Sequence, residues 1–352
     1  MSLVEVPDDL GDFNAWATEQ RWSDGLPLVP PTRERVDEML RGTVWPADAT
    51  VGKIPPRMAV ATVEKIAANA VMAGCRPEAM PLLITAVQAM LEPPVNLYGS
   101  QATTHPCAIM VMITGPLARR AGVHGGAGLF GPGFPANATI GRAVRLIQQN
   151  VGGAWPAETD RSTQGTPAKF SFCFGENEEE SPWPPYRVDQ GYDIADTTVS
   201  VVAAEAPHNL NDHVSSDARG ILFTFAQTMA TIGTNNAYCK PADFVLVISP
   251  EHSKIVHDAG FSPADVRQYL YERVRIPYKH WKLGGMFGML SQPRHLDAAD
   301  DDYMVPILQT PDDVHLVVGG GAGRHSAWIP TFGISRVGTR VVAAQDGTPL
   351  RI

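Results

Sequence analysis

Five short apolar runs fix the class of fold open to this chain. Residues 107–114, 169–174, 199–204, 244–249 and 314–318 are each long enough for a buried strand and too short for a helix. Between them lie segments with the apolar period of a helix, at 59–73, 77–91, 138–150, 250–257 and 264–273. Strands that alternate with helices imply an α/β fold, with a mainly parallel or mixed sheet flanked by helices. A last strand is expected near 340–344, and no internal repeat is expected. Residues 1–56 read as an N-terminal extension, with helices at 9–20 and 32–40 joined by a connector containing Pro27, Pro30 and Pro31. That connector must run extended, as a packing strap or an interface arm. The α/β catalytic domain is then 57–352.

With 352 residues, 44% of them hydrophobic and 18% charged, the chain can bury a full core. A net charge of −9 argues against a nucleic-acid or anionic-membrane partner. The N-terminal segment is acidic and lacks an apolar stretch, and no apolar run could span a bilayer, so a cytoplasmic protein is expected. Cys75, Cys107, Cys173 and Cys239 form no CxxC pair, which argues against a disulfide scaffold and a cysteine-based zinc knuckle.

The chemistry-bearing residues gather at the ends of the expected strands. The run 199–204 leads straight into Glu205, His208, Asn209, Asn211, Asp212 and His213, then into the helix-capping cluster Ser215-Ser216-Asp217. Titratable residues between a core strand and a core helix are what an α/β active-site loop supplies. His208 and His213 could ligate one metal if their segment is a loop, with a third ligand from His105, Glu205, Asp212 or Glu176. The ion would be a single zinc, iron or copper. Without a metal, the two histidines would serve as acid/base groups or substrate donors, or the turn would simply satisfy its own backbone. His105 stands before Pro106 at the mouth of a strand, in the company of Gln101, Thr103 and Thr104. Cys75 sits between a helix ended by Gly74 and one opened by Pro77. The ending helix raises its pKa, while the starting helix and Arg76 lower it. It is the best placed of the four thiols to react; the plain alternative is a small residue filling a corner.

Two glycine-rich turns add candidate anion sites. Residues 122–141 lead into a helix with Asn137 as its expected N-cap and Arg142 on its first turns. Gly319 to Ser326 supplies Arg324 and His325 at another strand end. Neither is a Walker A or a strand-initiated GxGxxG, so no nucleotide is implied, and either turn could instead serve close packing. Glu176 and Asn177 follow the strand at 169–174, where an open sheet places ligand contacts. Residues 284–305 read as a lid-like loop.

Ile66-Ala-Ala-Asn-Ala-Val-Met-Ala-Gly-Cys75, Gln101-Ala-Thr-Thr-His105-Pro and Pro207-His208-Asn-Leu-Asn-Asp-His213 together resemble a poorly characterised bacterial family. That family is associated with UGSC-type thiol/selenol proteins, in which a small partner carries a Cys/Sec-Gly-Ser-Cys motif. The resemblance spans about residues 20–335. It implies that Cys75 matches a redox-active or nucleophilic position and that a small thiol or selenol partner protein exists. This chain itself lacks the Gly-Ser-Cys element.

The expectation is an enzyme using Cys75 on a small anionic substrate, in redox chemistry or carbon–heteroatom cleavage. His105, His208 or His213 would move protons, and Arg142 or Arg324 would hold the anion. The alternatives are a metal-dependent hydrolase or lyase with ligands His208, His213 and His105, and a non-catalytic partner-binding subunit. A homo-oligomer is expected.

Overall fold

The computed structural model describes residues 4–284 and 300–352, and within these the chain is an α/β protein. The chain opens with α1 (Leu10–Glu19), α2 (Arg33–Leu40), the hairpin β1 (Thr50–Ile54) and β2 (Ala59–Thr62), then α3 (Val63–Ala73), α4 (Met80–Met90) and α5 (Leu97–Gln101). Next come β3 (Ala108–Thr114), α6 (Pro116–Arg120), α7 (Pro135–Asn150), β4 (Cys173–Gly175), α8 (Tyr186–Asp189), β5 (Thr198–Ala204) and β6 (His208–Asn211). The remainder is α9 (Ala218–Met229), β7 (Phe244–Ile248), α10 (Pro250–Asp258), α11 (Pro263–Arg273), β8 (Arg275–Pro277), α12 (Tyr278–Trp281), β9 (Met304–Pro306), β10 (Val314–Val318), β11 (His325–Ile329) and β12 (Gly338–Val341). The expected lid lies largely outside the described residues.

Each of the five segments contains a strand, the one at 169–174 only from Cys173 onward, but they enter two mixed four-stranded sheets. One has the order β12-β5-β3-β4 and the other β10-β7-β11-β6. Side-chain alternation along each strand explains the layering. In the first sheet Ile109, Val111, Ile113, Val199 and Val201 face α3, α4 and α7. Met110, Met112, Val202 and Phe174 face the other way, against Val245, Val247, Val317 and Ile329 of the second sheet. Leu246, Leu316 and Trp328 then face α9 and α11. The result is a four-layer sandwich of helices, sheet, sheet and helices. Runs buried on both faces lose the polar alternation of a half-exposed strand, which is why they read as mostly apolar stretches, broken by Ser200 in β5 and His315 in β10.

The two sheets are built alike, and here the structure corrects the expectation that there is no repeat. In each, a central strand (β3 or β7) is parallel to an edge strand (β4 or β10) and antiparallel to the other central strand (β5 or β11). The fourth strand of each half crosses over: β6 follows β5 but pairs with β11, and β12 follows β11 but pairs with β5. The two chains pass at Ala204 and Thr331, which form an antiparallel bridge. On either side of it Glu205 N donates to the Pro330 carbonyl at 2.8 Å and Phe332 N to the Ala203 carbonyl at 2.9 Å. The sequence carries a faint trace of this duplication. Residues 82–90 of α4 and 221–229 of α9 coincide at Leu83/Leu222, Thr85/Thr224, Gln88/Gln227 and Met90/Met229. His105-Pro106 before β3 likewise matches Lys240-Pro241 before β7.

The N-terminal segment contributes Phe13, Leu28, Val36, Met39 and Ile54 to the same core as α3, α4 and α7. The boundary expected at 56/57 falls in the turn of the β1–β2 hairpin. Both strands of that hairpin, β6 and β11 were not foreseen. The segment after β5, expected as a loop, is an edge strand over His208–Asn211.

Candidate functional site

Where the two halves cross, β3 and β5 bring together two residues a hundred positions apart. Ala108 pairs with Ala204, so residues before β3 lie beside residues after β5. Pro106 holds His105 extended, and its Nε2 meets Glu205 Oε1 at 2.9 Å. The Phe332 ring, from the second half, stands 5.3 Å from the imidazole between ring centres. A carboxylate accepts, so Nε2 carries the hydrogen and Nδ1 presents a lone pair. That Nδ1 is buried and has no hydrogen-bonding partner among the described residues. Leaving a polar atom so costs about 1–3 kcal/mol, which a bound group would recover.

Four residues back along the chain, Gln101 donates to the Pro55 carbonyl at 2.6 Å, while its buried Oε1 also lacks a partner. Gln101 lines a cavity of about 20 Å³ with Cys107, Arg145, Asp160 and Lys169. That is room for about one water. Asp160 accepts from Lys169 at 2.7 Å and from Arg145 at 3.3 Å. Two cations against one carboxylate leave this wall with a net charge of +1. The loop carrying Asp160 is tied to the segment before β3: Ser162 Oγ donates to the His105 carbonyl at 2.8 Å and Thr163 N to the Thr104 carbonyl at 2.9 Å, although His105 itself does not line the cavity.

The second half does not keep this arrangement. Register equates Met110 with Val245 and Val202 with Ile329, so Phe332 stands where Glu205 does and Lys240 where His105 does. Lys240 donates to the carbonyls of Asn236 and Ile307. Burial pushes its ammonium down to about 8, against the pull of Asp313. The duplicated position therefore holds a hydrogen-bonded lysine.

The other expected residues are dispersed. Cys75 follows α3 and keeps some surface as a residue, yet burial pushes its thiol up to about 12, outweighing Thr139 and Arg142. Burial raises Cys107 to about 12 as well. Arg142 is turned to the N-terminal segment, donating twice to Asp24 at 2.8 Å and to the Leu26 carbonyl at 3.0 Å. Arg324 donates to Glu251 at 2.8 Å and to the carbonyls of His213 and Ser215, both at 3.1 Å. Asn137 is not the N-cap of α7, which starts two residues earlier without a side-chain cap. Instead Asn137 clamps the glycine loop, accepting from His124 N at 2.8 Å and donating to the His124 carbonyl at 2.9 Å. Asn177 ties β4 to β10 through the Gly320 carbonyl at 2.9 Å. The two glycine turns pack against neighbouring backbone and each other: a Cβ on Gly125 would sit 2.4 Å from the Glu176 backbone, and one on Gly321 2.5 Å from Ala127. Glu176 accepts from Tyr186 N at 2.8 Å, its Oε2 is enclosed without a partner among the described residues, and burial pushes its carboxyl up to about 8.

The three histidines of the expected metal set are not brought together. His105 is held by Glu205, and His208 turns its Nδ1 to the Asn209 carbonyl at 3.0 Å. His213 instead meets His325, Nε2 to Nε2 at 3.0 Å. Among the described residues no three His, Cys, Asp or Glu side chains gather as metal ligands. For His208 the physical reason is that 208–211 is a strand, whose pairing with β11 fixes where its ring points.

A second buried network was not foreseen. Between the sheets, Tyr186 Oη meets His315 Nδ1 at 2.8 Å, and His315 Nε2 meets Asp243 Oδ2 at 3.0 Å. Asp243 also accepts from Arg336 Nε at 2.9 Å and Val337 N at 2.7 Å. Every member has its partners, so the network reads as a polar cross-link of the two sheets. The dyad at His105 differs in having an unmet nitrogen. The signal that could have exposed either group is pairing across long sequence distances, which periodicity does not carry. Neither a protein-family model nor a curated protein matches the chain.

Proposed function

We propose that the protein is an acid–base enzyme acting on a small anionic substrate, with His105 as the base that withdraws a proton. Glu205 orients the imidazole and stabilises the imidazolium that forms. Arg145 and Lys169, in excess over Asp160, offset the substrate's charge. Proton loss beside a leaving group is the first half of a carbon–heteroatom cleavage, so the reaction class is that of a lyase. The observation that supports this reading is the buried Nδ1 of His105, unpartnered while Nε2 is anchored. On this reading the 155–163 loop parts from Thr104 and His105 to admit substrate, because the cavity lined by Arg145 and Lys169 holds about one water.

The cysteine-centred route is less favoured. At a pKa of about 12 very little of Cys75 is thiolate at neutral pH, and the thiolate is the nucleophile. A direct test is hydrogen exchange in D2O, followed by proton NMR, with a panel of small carboxylates, sulfonates and phosphate esters. Exchange or elimination catalysed by the wild type and lost in His105→Asn and Glu205→Gln supports the proposal. Equal rates in wild type and both variants would end it.

A further inference from the structure

We infer that His213 and His325 form a binding site for one divalent transition-metal ion of the zinc, copper or nickel class, sharing only His213 with the three-histidine set expected from the sequence and independent of the role of His105. Their Nε2 atoms stand 3.0 Å apart and their ring centres 4.7 Å apart, with the planes at 72°. A straight N–H···N bond of that length would place the centres roughly 5.3 Å apart, because each centre lies about 1.15 Å behind its nitrogen. Two imidazoles sharing an ion at about 2.05 Å, with nitrogens 3.0 Å apart, subtend roughly 90° and place the centres about 4.7 Å apart. The observed separation equals that of the shared-ion geometry; without an ion the same contact is a bent Nε2–H···Nε2 hydrogen bond.

The surroundings hold both rings for ligation. His325 Nδ1 meets Asn209 Oδ1 at 3.0 Å. An amide oxygen accepts, so Nδ1 carries the hydrogen and Nε2 offers its lone pair, the arrangement that orients metal-bound histidines. His325 is fixed at the start of β11 by its register with Asn211. His213 is fixed by its backbone: Arg324 holds the carbonyls of His213 and Ser215, and Asp212 accepts from Val214 N and Ser215 N at 3.2 and 2.9 Å. The positive charge of Arg324 is matched by Glu251. Both histidines are exposed, so an ion can enter without any opening. The protein supplies two ligands, and water fills the remaining positions. Imidazole donors select borderline ions over magnesium or calcium.

The test is calorimetric titration of the full-length protein with zinc chloride in a non-coordinating buffer, beside His213→Ala, His325→Ala, Asn209→Ala and His208→Ala. One ion per wild-type chain is expected, bound at least tenfold more weakly by His213→Ala and by His325→Ala. Asn209→Ala should weaken binding about tenfold through the lost orienting bond. His208→Ala should bind as the wild type does, since its ring is turned away to a carbonyl. No saturable binding by the wild type, or unchanged affinity in both His213→Ala and His325→Ala, would overturn the assignment. Circular dichroism of each variant confirms that the exposed substitutions leave the fold intact.

Discussion

His105 and Glu205 are joined by a 2.9 Å hydrogen bond between Nε2 and Oε1 beside the seam where the two halves of the molecule exchange strands. Because both residues lie outside the strands they follow or precede, substituting them removes chemistry without removing core. His105→Asn and Glu205→Gln should unfold at urea midpoints close to the wild type and lose about 10²–10⁴-fold in turnover. Turnover within tenfold of the wild type in both would show that the dyad is structural.

The thiols give a second check. With Cys75 and Cys107 both raised to about 12, native protein at pH 8 should react with iodoacetamide at least tenfold more slowly than free cysteine. Urea should restore the rate. Rapid labelling of Cys75 in the native chain would return the cysteine to the centre of the mechanism.

Glu176 should impose a pH dependence on stability. Its carboxyl is raised from an ordinary 4.5 to about 8, so the folded state binds the proton more tightly than the unfolded state does. The stabilisation is complete below pH 4.5 and is lost as pH rises through about 8. Glu176→Gln cannot ionise, so its Tm should exceed that of the wild type at pH 9 and match it near pH 5. Parallel pH profiles for the two proteins would refute the assignment.

The buried cross-link should matter for stability and not for chemistry. Asp243→Ala leaves His315 Nε2 without its acceptor between the sheets, while Arg336 keeps Asp313, and should cost about 1–3 kcal/mol. Equilibrium urea unfolding measures this, and an unchanged midpoint would mean the network contributes nothing to the pairing of the sheets.

The local features of the fold were legible in the sequence, for a physical reason. A strand buried on both faces is mostly apolar, so 107–114, 199–204, 244–249 and 314–318 announce themselves. Helix ends are written by nearby residues: Gly74 in a left-handed conformation closes α3, and Ser262 with Asp265 forms a capping box at α11. The run 169–174 was less readable, since only Cys173–Gly175 is strand and the residues before it form a tight turn. The polar strand β6 was hidden because its His208, Asn209 and Asn211 are exposed, so burial imposes no pattern on them.

What the sequence by itself determined is therefore the class of fold and the position of most elements. Only the tertiary structure decided how distant residues combine. Arg142 was drawn to Asp24, His105 to Glu205 and His213 to His325, over separations of 118, 100 and 112 residues. Periodicity and capping act within a few residues, whereas such pairs are set by strand register and by the crossing of β5 and β11. Two separate four-stranded sheets, each completed by a strand from the other half, are likewise a property of pairing between distant segments. Hydrophobic pattern selects which face of a strand is buried; it carries no label for the neighbour that buries it.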